Sequence, residues 1–148
     1  MIRLAGPADR ATIEAIVQEA YAVYIDRIGK PPGPMLDDYA ALIAAGPVNV
    51  FEESEGSIAA ILVLLAKPDH LLLDNISVRR DRQGKGLGRQ LIDFAAAEAR
   101  RLGYRELRLY THEKMTENIG LYTRLGFVET DRRQDSGYDR VFMSKQLV

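Results

Sequence analysis

A mixed α/β fold follows from three observations: a central, mostly antiparallel sheet of about six or seven strands, flanked by about four helices. First, an apolar run (71–78), a glycine-rich turn, a helical pattern (87–102) and an alternating run (106–110) follow one another. A strand–helix–strand crossover of that kind places two strands in parallel. Second, short alternating runs meet at turn residues in 48–66 and again around Asp135-Ser136-Gly137, which reads as antiparallel hairpins. Third, residues 8–25 repeat apolar side chains at helical spacing. Helices beside a mixed sheet satisfy all three.

Each element has its own signal. Ile2 to Ala5 is a short first strand, closed by Gly6-Pro7-Ala8-Asp9. Pro7 suits a helix start, where its missing N–H costs nothing. Ile13, Ile16, Val17, Ala20 and Tyr24 mark one face of a helix over about 8–25. Ile28-Gly29-Lys30-Pro31-Pro32-Gly33-Pro34 cannot continue it and reads as a shaped loop. Leu36 opens a second helix with Leu42 and Ile43 inward, ended by Gly46-Pro47. Val48–Glu52 and Ser57–Leu65 form a hairpin over Ser54-Glu55-Gly56. Lys67-Pro68-Asp69 turns the chain into the strand ending at Val78. In the following helix Leu87, Leu91, Phe94, Ala95 and Leu102 share a side, and Gly103 stops it. Thr116 is placed to cap a helix running to Leu125, before Gly126. Phe127 to about Arg133 and Tyr138 to Leu147 are the last two strands.

The 148 residues, 47% hydrophobic and 28% charged, suit one domain, 1–148, with its own core. A net charge of −1 argues against a nucleic-acid partner, which calls for a basic domain. The absence of cysteine excludes disulfides and thiolate chemistry, and two histidines do not make a metal site, so no metal is expected. No stretch of signal-peptide type and no span-length apolar run is present, which points to a cytoplasmic protein and no membrane partner.

The chemistry concentrates in Arg79-Arg80-Asp81-Arg82-Gln83-Gly84-Lys85-Gly86-Leu87-Gly88-Arg89. Alternate glycines bring backbone N–H groups close to a ligand, and the next helix starts there with unpaired N–H groups. Four basic side chains from Arg79 to Lys85 strengthen the field. This is an anion site, suited to a pyrophosphate. It is not a P-loop, because Gly84-Lys85 is followed by Gly86 rather than Ser or Thr. It is not a dinucleotide fingerprint, because Arg89 stands where the last glycine belongs. Taken alone, it also suits a tight turn with a solvated basic face.

Gln83-x-x-Gly86-x-Gly88 between strand and helix resembles motif A of the GNAT superfamily of N-acetyltransferases. Leu121-Tyr122-Thr123-Arg124-Leu125-Gly126-Phe127 resembles its motif B, in the right order and spacing. One departure stands out: Met115 occupies a position, seven before the tyrosine, where many members carry asparagine. Asn118 is the nearest substitute.

The resemblance implies acetyl-CoA as acetyl donor and the primary amine of a small molecule or protein as acceptor. It implies a sheet splayed between strands 71–78 and 106–110, and it leaves room for a homodimer. Gln83, Gly84, Lys85, Gly86, Leu87, Gly88 and Arg89 would hold the pyrophosphate, with Asn118 contributing. The backbone of Ile76 and Val78 would take the pantetheine arm. Tyr122 would protonate the departing sulfur, although its spacing equally suits a core aromatic. Asp74 lies on the strand face of Ile76 and Val78, in an otherwise apolar run, and is a candidate base. His112 is a rival base. Tyr21, Tyr24, Arg27, Lys30, the proline-rich loop to Met35, and Tyr138 would line the acceptor site. A non-catalytic acyl-CoA-binding regulatory module on the same fold is the alternative reading.

Overall fold

The hydrophobic periodicity resolves into seven strands and five α-helices in the computed structural model, which describes residues 1–147. The order is β1 (Ile2–Leu4), α1 (Arg10–Ala22), α2 (Ile25–Ile28), α3 (Tyr39–Ala45), β2 (Val48–Glu52), β3 (Ile58–Ala66) and β4 (Leu71–Val78). Then come α4 (Leu87–Arg101), β5 (Glu106–His112), α5 (Thr116–Arg124), β6 (Val128–Asp135) and β7 (Tyr138–Gln146). The sheet order is β1-β2-β3-β4-β5-β7-β6. The crossover predicted the parallel pair: Leu71–Leu73 of β4 run beside Leu107–Leu109 of β5. The pairs β1–β2, β2–β3, β5–β7 and β6–β7 are antiparallel.

Contacts cluster into two compact units. The first holds Met1–Leu64 and Asn75–Gly88, the second Leu65–Asp74 and Arg89–Val148. The divisions therefore fall inside β3, inside β4 and inside the first turn of α4.

In the first unit the core is built on β3, where every side chain from Ile58 to Leu64 is buried. Burying one such aliphatic side chain contributes about 1.5–3 kcal/mol. Ile13, Ile16, Val17 and Tyr24 turn inward as their spacing predicts. The helix does not run unbroken to 25. It stops at Ala22, and α2 adds one turn that Gly29 ends at φ 91°. Leu36 does not open α3. Gly33–Leu36 winds into a 3-10 turn, and α3 starts later because Asp38 caps it, accepting from the Ala41 N–H at 3.1 Å.

Asp9 fastens β1 to the start of α1. It accepts from the Gly6 N–H at 2.8 Å and from Arg3 at 2.9 and 3.1 Å. The Arg3 guanidinium, more than any other group, holds the Asp9 carboxyl below the usual carboxylate range. Stability from such a group is complete above the unfolded pKa near ~3.9 and is lost as pH falls through the lower folded value. Asp9→Asn should lower stability at pH 7 by about 1–2 kcal/mol, a figure reduced because Arg3 is partly exposed. Urea unfolding should show that gap closing as pH falls below the usual carboxylate range.

In the second unit Leu107, Leu109, Val141 and Met143 are buried on one face of the sheet. Leu91, Ala95 and Ala99 form the buried stripe of α4. Leu102 leaves that stripe: it follows the last helical residue and is 49% exposed, in the turn that Gly103 completes at φ 87°. The β6–β7 hairpin closes through Ser136 and Gly137, both at positive φ (53° and 82°). That pair gives the turn whose twist matches a two-residue hairpin.

Candidate functional site

Strand β4 alternates strictly, with Leu71, Leu73, Asn75 and Ser77 buried and Leu72, Asp74, Ile76 and Val78 half-buried. The face shared by Asp74, Ile76 and Val78 is the one the sequence predicts. Beyond Val78 the chain makes a short 3-10 turn at Arg80–Arg82. The Gln83 side chain then donates back to the Val78 carbonyl at 3.1 Å, bracing the loop on the strand end. Gly84 and Gly86 both sit at positive φ, 76° and 82°. A Cβ at either would meet nothing within 4 Å, so in the protein itself the glycines are needed for conformation rather than for space. Leu87 is buried and anchors the first turn of α4, Gly88 is half-buried, and Arg89 is exposed.

The basic side chains divide into two groups. Arg79 pairs with Asp81 at 2.6 Å, and Arg82 pairs with Glu53 at 3.0 Å and Asp81 at 3.2 Å. Arg79 holds the Asp81 carboxyl below its usual range. The side chains of Arg80 and Lys85 have no partner among the described residues and are exposed. The loop thus keeps two open cations, Arg80 and Lys85, beside two glycines at positive φ. That is a fit for a phosphate ester.

In the second unit Tyr122 lies on the inner face of α5, 6% exposed, with its ring 5.8 Å from Phe127 in an edge contact. Thr116 does not cap α5. Met115 takes the N-cap position without a side-chain cap, and the Thr116 hydroxyl bonds to Glu117. The buried Met115 sulfur instead accepts from Thr111 at 3.5 Å and from the Asn118 amide at 3.7 Å. Asn118 therefore faces the start of its own helix. Asp74 accepts from the Tyr110 hydroxyl at 3.0 Å. His112 is buried, and its Nδ1 accepts from the Lys114 N–H at 3.1 Å. That lone pair is engaged, which weakens the case for His112 as a base. Tyr138 is half-buried and stacks near Arg140.

Sequence reasoning missed a buried polar cluster in the first unit. Asn75 Oδ1 accepts from Tyr21 and from Ser77, each at 2.9 Å, and Asn75 Nδ2 donates to Tyr39 at 3.0 Å. Tyr39 in turn donates to the Pro34 carbonyl. Tyr21 is thus part of the core, not an open lining residue, and Tyr24 is buried with Arg27 stacked on its ring at 5.0 Å. One signal was available. Asn75 and Ser77 share strand parity with Leu71 and Leu73, so two polar side chains stood at core positions.

Among the described residues, no group of three or more His, Asp or Glu is placed to hold a metal, and no helix is long and apolar enough to cross a membrane.

Residues 13–127 match the family model described as the Acetyltransferase (GNAT) family. The chain is 46% identical over 52 residues to mycothiol acetyltransferase of Geodermatophilus obscurus, covering 35% of this chain and 17% of that protein. It spans less than half the length of three curated relatives it matches. The structure of yncA from Salmonella typhimurium, which holds its cofactor acetyl-CoA, superposes with a TM-score of 0.73 at 26% identity, covering 100% of this chain and 94% of that one. The ribosomal-protein-S18-alanine N-acetyltransferase from Escherichia coli shares the fold, with a TM-score of 0.77 at 24% identity over 99% and 93% of the two chains.

Proposed function

The chain belongs to the GNAT acetyltransferase family, and on that footing we propose that it transfers an acetyl group from acetyl-CoA to a primary amine of a small molecule or protein. The transfer is a direct attack in a ternary complex, with residues 1–148 working as one catalytic domain. The observation that carries this reading is the loop after β4. It has two left-handed glycines, a helix start behind them, and the open cations Arg80 and Lys85.

Acetyl-CoA supplies an acyl group on a thioester, which an uncharged amine can attack. Gln83 to Arg89 hold the pyrophosphate, through backbone N–H groups and the charges of Lys85 and Arg89. Asn118 lends its amide from α5. The backbone at Ile76 and Val78 aligns the pantetheine arm as an added strand, and an N–H there faces the thioester oxygen. Asp74 takes a proton from the acceptor ammonium, which is almost wholly charged at neutral pH if its pKa is near ~10.4. The freed nitrogen lone pair forms the C–N bond as the C–S bond breaks, and the new amide nitrogen sheds its remaining extra proton to water. Tyr122 gives its hydroxyl proton to the departing sulfur. Water then reprotonates Tyr122 and deprotonates Asp74.

A thermal-shift titration followed by an amine panel tests the reading. The panel comprises amino acids, polyamines, amino sugars and short peptides with free N-termini, read by free-thiol release. Acetyl-CoA should raise Tm, by ~2.7 kcal/mol of added stability at a hundred times Kd. At least one amine should then release thiol above the hydrolysis background. Stabilisation without release for every amine would favour the regulatory module instead.

A further inference from the structure

Asp74 is held through one oxygen and open at the other. Its Oδ1 accepts from the Tyr110 hydroxyl at 3.0 Å, and its Oδ2 has no hydrogen-bond partner among the described residues. The residue is half-buried, so Oδ2 reaches solvent and is not a trapped orphan. A carboxylate fixed at one oxygen presents the other in a set direction.

The direction is set by more than one hydrogen bond, because Tyr110 is itself immobilised. Its ring lies under the Arg140 guanidinium at 4.2 Å and tilts against Phe142 at 6.0 Å. The β5–β7 register makes this local: Tyr110 stands opposite Phe142, and His112 opposite Arg140. Arg140 is anchored in turn by Asp135 at 3.1 Å and lies over Tyr138 at 5.4 Å. A cation over an aromatic face draws on the ring's electron density, which favours donation by the hydroxyl. The hairpin tip, the Tyr110 ring and the Asp74 carboxylate therefore form one connected chain of contacts within the second unit.

We propose that Tyr110 is a positioning residue for the transfer: it fixes Asp74 so that Oδ2 meets the acceptor as an ammonium and takes its proton. This rests on the acetyl-transfer reading above, in which Asp74 is the base. It adds that the carboxylate meeting the acceptor is aimed by β5.

Tyr110→Phe is the informative variant, because it keeps the ring, and hence the contacts with Arg140 and Phe142, and removes only the hydroxyl. With the best acceptor from the amine panel, kcat should fall roughly 10- to 100-fold, the scale of a misaligned catalytic group. KM for acetyl-CoA should stay within about two-fold, since the loop at 83–89 is untouched. In an Asp74→Asn background the same change should alter kcat by less than about two-fold, because the two residues act through one path. Wild-type kcat in Tyr110→Phe, or the same fold-loss in both backgrounds, overturns the proposal alone. A wild-type chain that releases thiol with no amine in the panel overturns the acetyl-transfer reading, and this proposal with it. Should Tyr110→Phe fold poorly, Arg140→Gln removes the cation from the same ring, and an unchanged kcat there likewise counts against the connected chain.

Discussion

Tyr122→Phe should lower kcat for the proposed amine acetylation by roughly 10²- to 10⁴-fold, the range expected when a positioned general acid is removed. The ring stays, and with it the edge contact to Phe127 and the packing of α5. Stability should therefore change little, and acetyl-CoA should still raise Tm to the same extent. The separation matters because Tyr122 is buried, and a buried aromatic can always be explained as core. A core role predicts lost stability on truncation and full turnover on loss of the hydroxyl alone. An acid predicts the reverse. Single-turnover rates measured from about pH 6 to 10 decide between them. A Tyr122→Phe enzyme running at the wild-type rate throughout leaves the hydroxyl without a catalytic role.

The second large effect is at Gly86, where substitution should weaken acetyl-CoA binding in the order Val, Ala, Asn, with Asn tolerated best. The residue sits at φ 82°, and a Cβ would meet no neighbour within 4 Å. The penalty is therefore conformational. A non-glycine residue in this region costs about 1–2 kcal/mol, less for asparagine and more for a β-branched side chain. Either the loop retains its shape at that cost, or it relaxes and its N–H groups turn away from the pyrophosphate. Titration calorimetry should show losses from about 5- to 30-fold for Ala, larger for Val. Tm without ligand should move by only a few degrees. Equal affinity across the series would mean that the left-handed turn is not what holds the ligand.

What was legible in the sequence was mostly local. Gly103, Gly126 and Ser136-Gly137 end or turn elements because their backbone conformations need little from the rest of the chain. The glycine loop was readable for the same reason. Interactions between distant residues were not. Asn75 meets Tyr21 across 54 residues and Tyr39 across 36, and a sequence gives no register for such a meeting. Charges were countable but their partners were not. Arg82 pairs with Glu53 from 29 residues away, so a loop that counts four cations presents fewer open ones. Thr116 shows a local rule overruled. Its hydroxyl suits a cap, but the turn from His112 to Met115 buries the thioether at that position, and the helix starts one residue beyond it. Asp74 is a candidate from its place on β4, but its hydrogen bond from Tyr110, 36 residues on, has no local signal.

The proline-rich segment after α2 carries a consequence for how this protein can change. It is gripped through its main chain: the Pro34 carbonyl accepts from Tyr39, and the Met35 carbonyl from Gln18. Side chains such as the exposed Leu36 take no part in that grip. A segment held in this way can exchange its exposed side chains over generations while its path stays constant. Substitutions at Leu36 should therefore be nearly independent of one another and of the core, whereas those at Tyr39 and Asn75 should be epistatic, each acceptable only in the company of the other.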